Sequence, residues 1–281
     1  MAVMETWHLL AALLSAVLHA SWNAAVKASP DPDATMTAQM ILSAVLVLPA
    51  VAWTGLPLPA AWPWLLLSTT LNVLTVAALL RAYELAGFGV GYAVVRAISV
   101  LLVIPMMAAL AGERVSPMAV VGIGLIASSL VVLGFGARQG GGVPFAAVAW
   151  MAIAGIGTAG YVVADAQGVR AAGSSLAYGV VVSATNALAM CWRQRAKGSP
   201  ATILWTHGLG ALPIAVASAA SYLLILWVWT SAPVAPTAAL RDTSAVFGVI
   251  IAVVWLKEPM SLWRLAAVVL AALGVPFLRL G

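Results

Sequence analysis

Two arginines stand in apolar surroundings 145 residues apart, and each heads the same short pattern. Arg96-Ala97-Ile98-Ser99 is followed by an apolar run and then Gly112-Glu113-Arg114. Arg241-Asp242-Thr243-Ser244 is followed by an apolar run and then Lys257-Glu258-Pro259. The offset of 145 also relates Ser99 to Ser244 and Glu113 to Glu258. A guanidinium keeps its charge and offers a fork of N–H donors that suits a carboxylate. In each copy the Arg and Glu are 17 residues apart, roughly 25 Å along a helix and close to the thickness of a bilayer's hydrocarbon core. The pattern reads as a carboxylate-seeking group inside a membrane span, with an acidic group just beyond the far end.

Other polar side chains fall at helical spacing. Ser15, His19 and Asn23 share one face by i, i+4 spacing, with Trp22 beside them. His19 and Asn23 can hydrogen-bond a polar substrate, and Trp22 offers an aromatic face to a cation or a ring. Ser68, Asn72, Thr75 and Tyr83 make a second stripe, whose counterparts 145 residues on are Pro213, Ala217, Ala220 and Val228. Only one copy is polar there, so the expected cavity is asymmetric. Tyr92 lies one turn before Arg96, and Tyr161 aligns with Trp22 in the second copy. The expected substrate-binding set is therefore His19, Trp22, Asn23, Asn72, Tyr83, Tyr92, Arg96, Ser99, Tyr161, Arg241 and Ser244, with Glu113 and Glu258 as caps or gate contacts.

Each assignment has a plainer alternative. An arginine at the centre of a membrane helix costs about 2.5–3.5 kcal/mol, so it needs a wet cavity, a partner, or a side chain that snorkels to the interface. Polar stripes also serve as hydrogen-bonding glue between helices, and tyrosines as packing or interface anchors. Trp227 and Trp229 read as interface belt residues, Asp165 with Arg170 as a loop-end pair, and Gly160, Ala164, Gly168 as a ladder for close helix packing.

The elements that must position these groups follow from composition. Of 281 residues, 64% are hydrophobic and only 7% charged, against about a quarter charged in soluble domains. Apolar segments of about 20 residues follow one another across short joints, which suits membrane helices rather than barrel strands. Ten spans are expected: about 7–26, 35–53, 62–85, 90–111, 116–135, 145–166, 175–192, 208–231, 233–255 and 260–280. The N-terminus lacks signal-peptide features, so Trp7 onward should remain as the first span. Trp53, Trp62, Trp64, Trp150, Trp192, Trp255 and Trp263 fall at expected ends, where indoles favour the interface.

The offset extends the repeat. Span 3 maps onto span 8 at 145, and spans 1 and 2 onto 6 and 7 at about 139. The chain divides into a five-helix repeat over 1–135, a linker over 136–144 with four Gly and a Pro, and a second repeat over 145–281. Five spans is an odd number, so the second repeat enters the membrane inverted, an arrangement that places a substrate site near the midplane. Lys and Arg outside the spans favour one side by eight to three (Lys27, Arg81, Arg138, Arg193, Arg195, Lys197, Lys257, Arg264 against Arg114, Arg170, Arg279). The positive-inside rule then puts both termini outside.

Three stretches resemble the EamA-type branch of the drug/metabolite transporter superfamily: His19-Ala20-Ser21-Trp22-Asn23-Ala24-Ala25-Val26-Lys27, Arg96 through Arg114, and Arg241 through Pro259. The resemblance covers the whole chain. It implies a ten-span secondary carrier of the bacterial inner membrane with a central cavity, exporting small metabolites, most often amino acids including aromatic ones, by alternating access. Export of cationic drugs or other metabolites is the nearest alternative, and a non-transporting membrane subunit a further one. The first span holds no acidic residue, unlike the small multidrug pumps of the superfamily, which leaves proton coupling open.

No cofactor, metal, nucleic acid or catalytic role is expected. The three His are not spaced for zinc, no phosphate-binding Gly-x-x-x-x-Gly-Lys loop exists, and Cys191 is the sole cysteine. The net charge of +5 is scattered over loop ends, which fits membrane orientation rather than nucleic acid. The partners expected are a small-molecule substrate and the lipid bilayer; monomer and homodimer remain equally open.

Overall fold

The computed structural model describes residues 5–86, 88–136, 143–195, 198–254 and 260–280. Its described residues are mostly helical and contain no strand. The helices are α1 (Thr6–Lys27), α2 (Pro32–Val47), the single turn α3 (Val51–Thr54), α4 (Trp62–Ala86), α5 (Phe88–Ala111) and α6 (Pro117–Gly136). They are followed by α7 (Phe145–Ala171), α8 (Ser175–Gln194), α9 (Pro200–Trp229), α10 (Val234–Asp242), α11 (Ser244–Val254) and α12 (Leu262–Leu280). Among the described residues, nine helical segments are long and apolar enough to cross a membrane, and Leu262–Leu278 is a shorter apolar helix. The outer face agrees with a lipid solvent: Trp205 and Leu209 of α9 are each 93% exposed, a display of apolar surface that water would not tolerate.

Local chemistry sets the ends. Asp31 accepts the Ala34 N–H at 3.0 Å with Pro32 as first helical residue, and Ser199 accepts that of Thr202 with Pro200 in the same place. This cap starts α9 eight residues before the expected Gly208, because the apolar stretch after Pro200 continues the same helix. Likewise α7 runs to Ala171 rather than stopping at 166. The expected ninth span is broken at Thr243, whose hydroxyl donates to Leu240 O at 2.6 Å and whose N–H faces both Ala239 O and Leu240 O. The turn divides α10 from α11 immediately after Arg241 and Asp242.

Packing joins distant stretches of chain. α4 lies along α7 and α1 along α9; α5 also packs on α7, and α1 on α10 and α11; α6 pairs with α12 and α2 with α8. Glycines let backbones meet. A Cβ on Gly122 of α6 would strike Gly274 O of α12, and one on Gly274 would strike Gly122 O. Gly160 and Gly168 make the same room on α7 for Leu71 and for the Tyr178 ring, as expected of that ladder. Ser15 and Ser221 each donate to the other's carbonyl, at 2.7 and 2.8 Å, tying α1 to α9. The main core draws on both halves of the chain, with Met107, Ile126 and Leu130 beside Tyr178, Ile225 and Leu240.

Candidate functional site

Arg96 and Asp242 meet. Arg96 Nη1 donates to Asp242 Oδ1 at 3.0 Å, with side chains 12% and 8% exposed. Helical rise puts Arg96 about 12 Å into α5 and Asp242 about 12 Å into α10. The two helices run oppositely, since Glu113 beyond the end of α5 touches Ala235 at the start of α10. The ion pair therefore lies deep in the bundle, where a charge needs a partner. Snorkelling to the interface is not what either arginine does.

His19 of α1 sits between the two guanidinium groups. Its Nε2 is 3.2 Å from Arg96 Nη2 and its Nδ1 3.5 Å from Arg241 Nη2. Trp22 stands edge-on to its ring at 5.0 Å between centroids, and Arg96 Cζ lies 5.3 Å above the Tyr92 ring. Arg96 is thus held from three sides. Arg241 is not: although only 8% exposed, its Nε has no hydrogen-bond partner. The Ser244 hydroxyl and the Trp22 indole N–H are buried without partners as well. Groups of this kind are costly to leave unmade, and all three belong to the expected set.

The remaining expected residues are placed less centrally. Ser99 is buried on α5. Tyr83 is half-buried on α4, its ring against Gly91 next to Tyr92. Tyr161 of α7 is half-buried against the main core, and Asn72 is half-buried on α4. Asn23 turns its amide to its own helix, donating to His19 O at 2.7 Å. Glu258 lies outside the described residues.

At the end of the bundle that holds His8, a polar latch is formed. Glu113 follows Gly112, whose φ of 61° makes the left-handed turn that ends α5. Its Oε1 accepts the Ala235 N–H at 3.2 Å, and its Oε2 lies 3.8 Å from Arg170 Nη2. Arg170 also donates to Trp229 O and Ala232 O at 2.9 and 3.0 Å, and Ser231 contacts His8 Nε2 at 3.1 Å. Burial pushes the Glu113 carboxyl up from the usual 4.5, against the opposing pull of the Ala235 N–H and Arg170. Gly112, Glu113, Arg114, Arg170, Pro233 and Leu278 are among the residues lining a cavity of about 340 Å³ here.

Two sequence assignments need correction. Asp165 does not pair with Arg170 at a loop end. It is 2% exposed and accepts hydrogen bonds from Ser68, Tyr178 and Tyr222, because α7 continues past it and carries Arg170 a further turn on to the latch. Trp229 is not a belt residue either: it is 1% exposed, and its Nε1 donates to Thr237 Oγ1 at 3.2 Å. Trp227 is 44% exposed, its ring tilted against that of His8 at 5.3 Å between centroids.

No family model and no curated protein matches the chain. One solved crystal structure of a protein is similar over 98% of this chain and 96% of its own, with a TM-score of 0.73 and 20% sequence identity. At that identity the likeness shows a common fold.

Proposed function

We propose that the chain is a secondary carrier that exports small zwitterionic metabolites, amino acids including aromatic ones, by alternating access of two inverted five-helix repeats. The observation that carries the reading is Arg241: a buried guanidinium with an unpartnered Nε, whose neighbour His19 stands against Trp22, while the Trp22 indole N–H and the Ser244 hydroxyl are also buried without partners. Guanidinium, hydroxyl and indole N–H are each donors that a carboxylate accepts from. Arg96, already held by Asp242, His19 and Tyr92, shapes the site and supplies field, while Trp22 and Tyr92 offer aromatic faces to an ammonium or a ring.

The helix pairing supports the inverted repeat. Exchanging first-half helices for their second-half counterparts turns α4 on α7 into α9 on α1, and α5 on α7 into α10 and α11 on α1; the α6–α12 and α2–α8 pairs map onto themselves. The interruption after Asp242 fits as well, since irregular backbone at membrane depth is tolerated where it is buried in protein or lines a cavity. On this reading the chain is of the EamA type and lies in an inner membrane with both termini outside. The Glu113–Arg170 latch then closes the outer face. A screen of radiolabelled amino acids in liposomes containing the purified chain tests the assignment: uptake above empty liposomes is expected, and none for any amino acid would exclude it.

A further inference from the structure

Asp165 lies outside the substrate site just proposed, yet three other helices converge on it. Its Oδ1 accepts from Ser68 Oγ of α4 at 2.5 Å and from Tyr178 OH of α8 at 3.0 Å; its Oδ2 accepts from Tyr222 OH of α9 at 2.8 Å. Gly168, one turn along α7, leaves the space that the Tyr178 ring fills. Among the described residues no salt bridge reaches this carboxylate. The cation acting on it is Arg241 of α10, whose charge also acts on Asp242. The charge of α5, Arg96, faces Asp242 and His19 instead, and Arg170 of α7 faces the latch.

All three partners are hydroxyls, which both donate and accept. An ionised Asp165 takes a hydrogen bond from each. A protonated Asp165 donates to one of them, which turns its own hydrogen elsewhere. The cage therefore satisfies both protonation states, as donor-only ammonium or guanidinium groups would not. Contacts of 2.5–3.0 Å are hydrogen-bond lengths, and a metal ion seated between Ser68 and Asp165 would part oxygens now 2.5 Å apart. We propose that Asp165 is the carrier's proton-binding site, and that this proton and the substrate's carboxylate are bound and carried together. Two guanidinium groups, Arg96 and Arg241, balance two carboxylates, Asp165 and Asp242. Protonating Asp165 leaves Arg241 short of an anion, so the substrate's carboxylate binds more tightly, and by linkage its binding favours proton uptake. A substrate gradient directed outward then takes protons out with it.

The proposal rests on the carrier reading, and the test separates the two. Labelled phenylalanine is followed in liposomes containing the full chain, first as counterflow without gradients, then under an imposed proton or sodium gradient. Wild type should exchange phenylalanine and concentrate it when the far side is the more acid, with no response to sodium. Asp165→Asn should retain counterflow and lose at least tenfold of the proton-driven accumulation. Accumulation that survives in D165N, or that sodium drives in wild type, overturns the proposal. Tyr222→Phe removes one donor and should move the pH profile of phenylalanine affinity; an unmoved profile also counts against it. If wild type exchanges no phenylalanine, the aromatic part of the carrier reading is what fails. Infrared difference spectra between acid and alkaline buffer then decide the proton site alone: a protonated-carboxyl band lost in D165N is expected, and its absence in wild type refutes the site.

Discussion

Arg96 and Asp242 compensate each other in a place where neither is tolerated alone. Removing one partner of a buried ion pair costs about 3–5 kcal/mol. Asp242→Asn should therefore lower the thermal midpoint in detergent markedly, and the double variant Arg96→Gln, Asp242→Asn should recover a large part of that loss. Additive losses in this cycle would mean that the two do not depend on each other. At the latch, the raised Glu113 carboxyl pKa sets a pH dependence. The folded chain holds this proton at a higher pH than the unfolded chain does, so this group's contribution to stability is present below the ordinary 4.5 and lost as pH rises through the raised value. Conversely, the ionised contact with Arg170 weakens as pH falls through that same raised value. Spin labels at the exposed positions Arg114 and Thr230 should report a distance distribution that broadens with a midpoint above 4.5, and Glu113→Gln should abolish the dependence. The sequence pointed to both arginines because a charge in an apolar run is visible in one dimension. It did not give the partner of Arg96, which depends on the register between α5 and α10. Asp165 was misassigned because Arg170 is near in sequence, whereas its actual partners come from α4, α8 and α9.

Among the elements, helix existence was legible and helix interruption was not. Apolar stretches bounded by Pro, Gly and charge mark the spans, since the membrane demands that backbone groups be satisfied within each helix. The break at Thr243 leaves no such mark: it is a tightened turn in which both the N–H and the hydroxyl of Thr243 bond back to Leu240 O. Close approaches were legible in part, as the Gly160 and Gly168 ladder shows, while Gly122 against Gly274 depends on which helices pair. A Cβ at either of the latter meets backbone oxygen rather than a movable side chain. Gly122→Leu should therefore push α6 from α12 and lower the thermal midpoint, whereas Gly124→Ala, with nothing within 4 Å of its added Cβ, should leave stability within about 0.5 kcal/mol of wild type. Equal effects from the two would deny that close contact its role.

Across the whole molecule, the two halves interleave rather than sit side by side. α1 lies on α9 and α4 on α7, so each half covers the other's candidate site helices. That arrangement puts His19 of the first half between Arg96 of the first and Arg241 of the second. A relative motion of the halves would have to change those contacts, as the proposed carrier cycle requires. The contacts of Glu113 with Arg170 and Ala235 likewise join the halves at one end of the bundle. The doubled sequence pattern foretold two related helices with charges inside; that their charges would come together across a single histidine required the fold.

The most direct measurement is counterflow of labelled phenylalanine by wild type and Arg241→Gln in liposomes, with competition by its decarboxylated amine and by a quaternary ammonium compound. Loss of one charge-assisted hydrogen bond is worth about 1.5–3 kcal/mol, roughly tenfold to a hundredfold in affinity. Wild type should exchange phenylalanine with neither amine competing, and R241Q, still monodisperse, should lose exchange by at least tenfold. Exchange undiminished in R241Q and blocked by the quaternary ammonium compound would contradict a carboxylate-recognising site and point to cationic cargo.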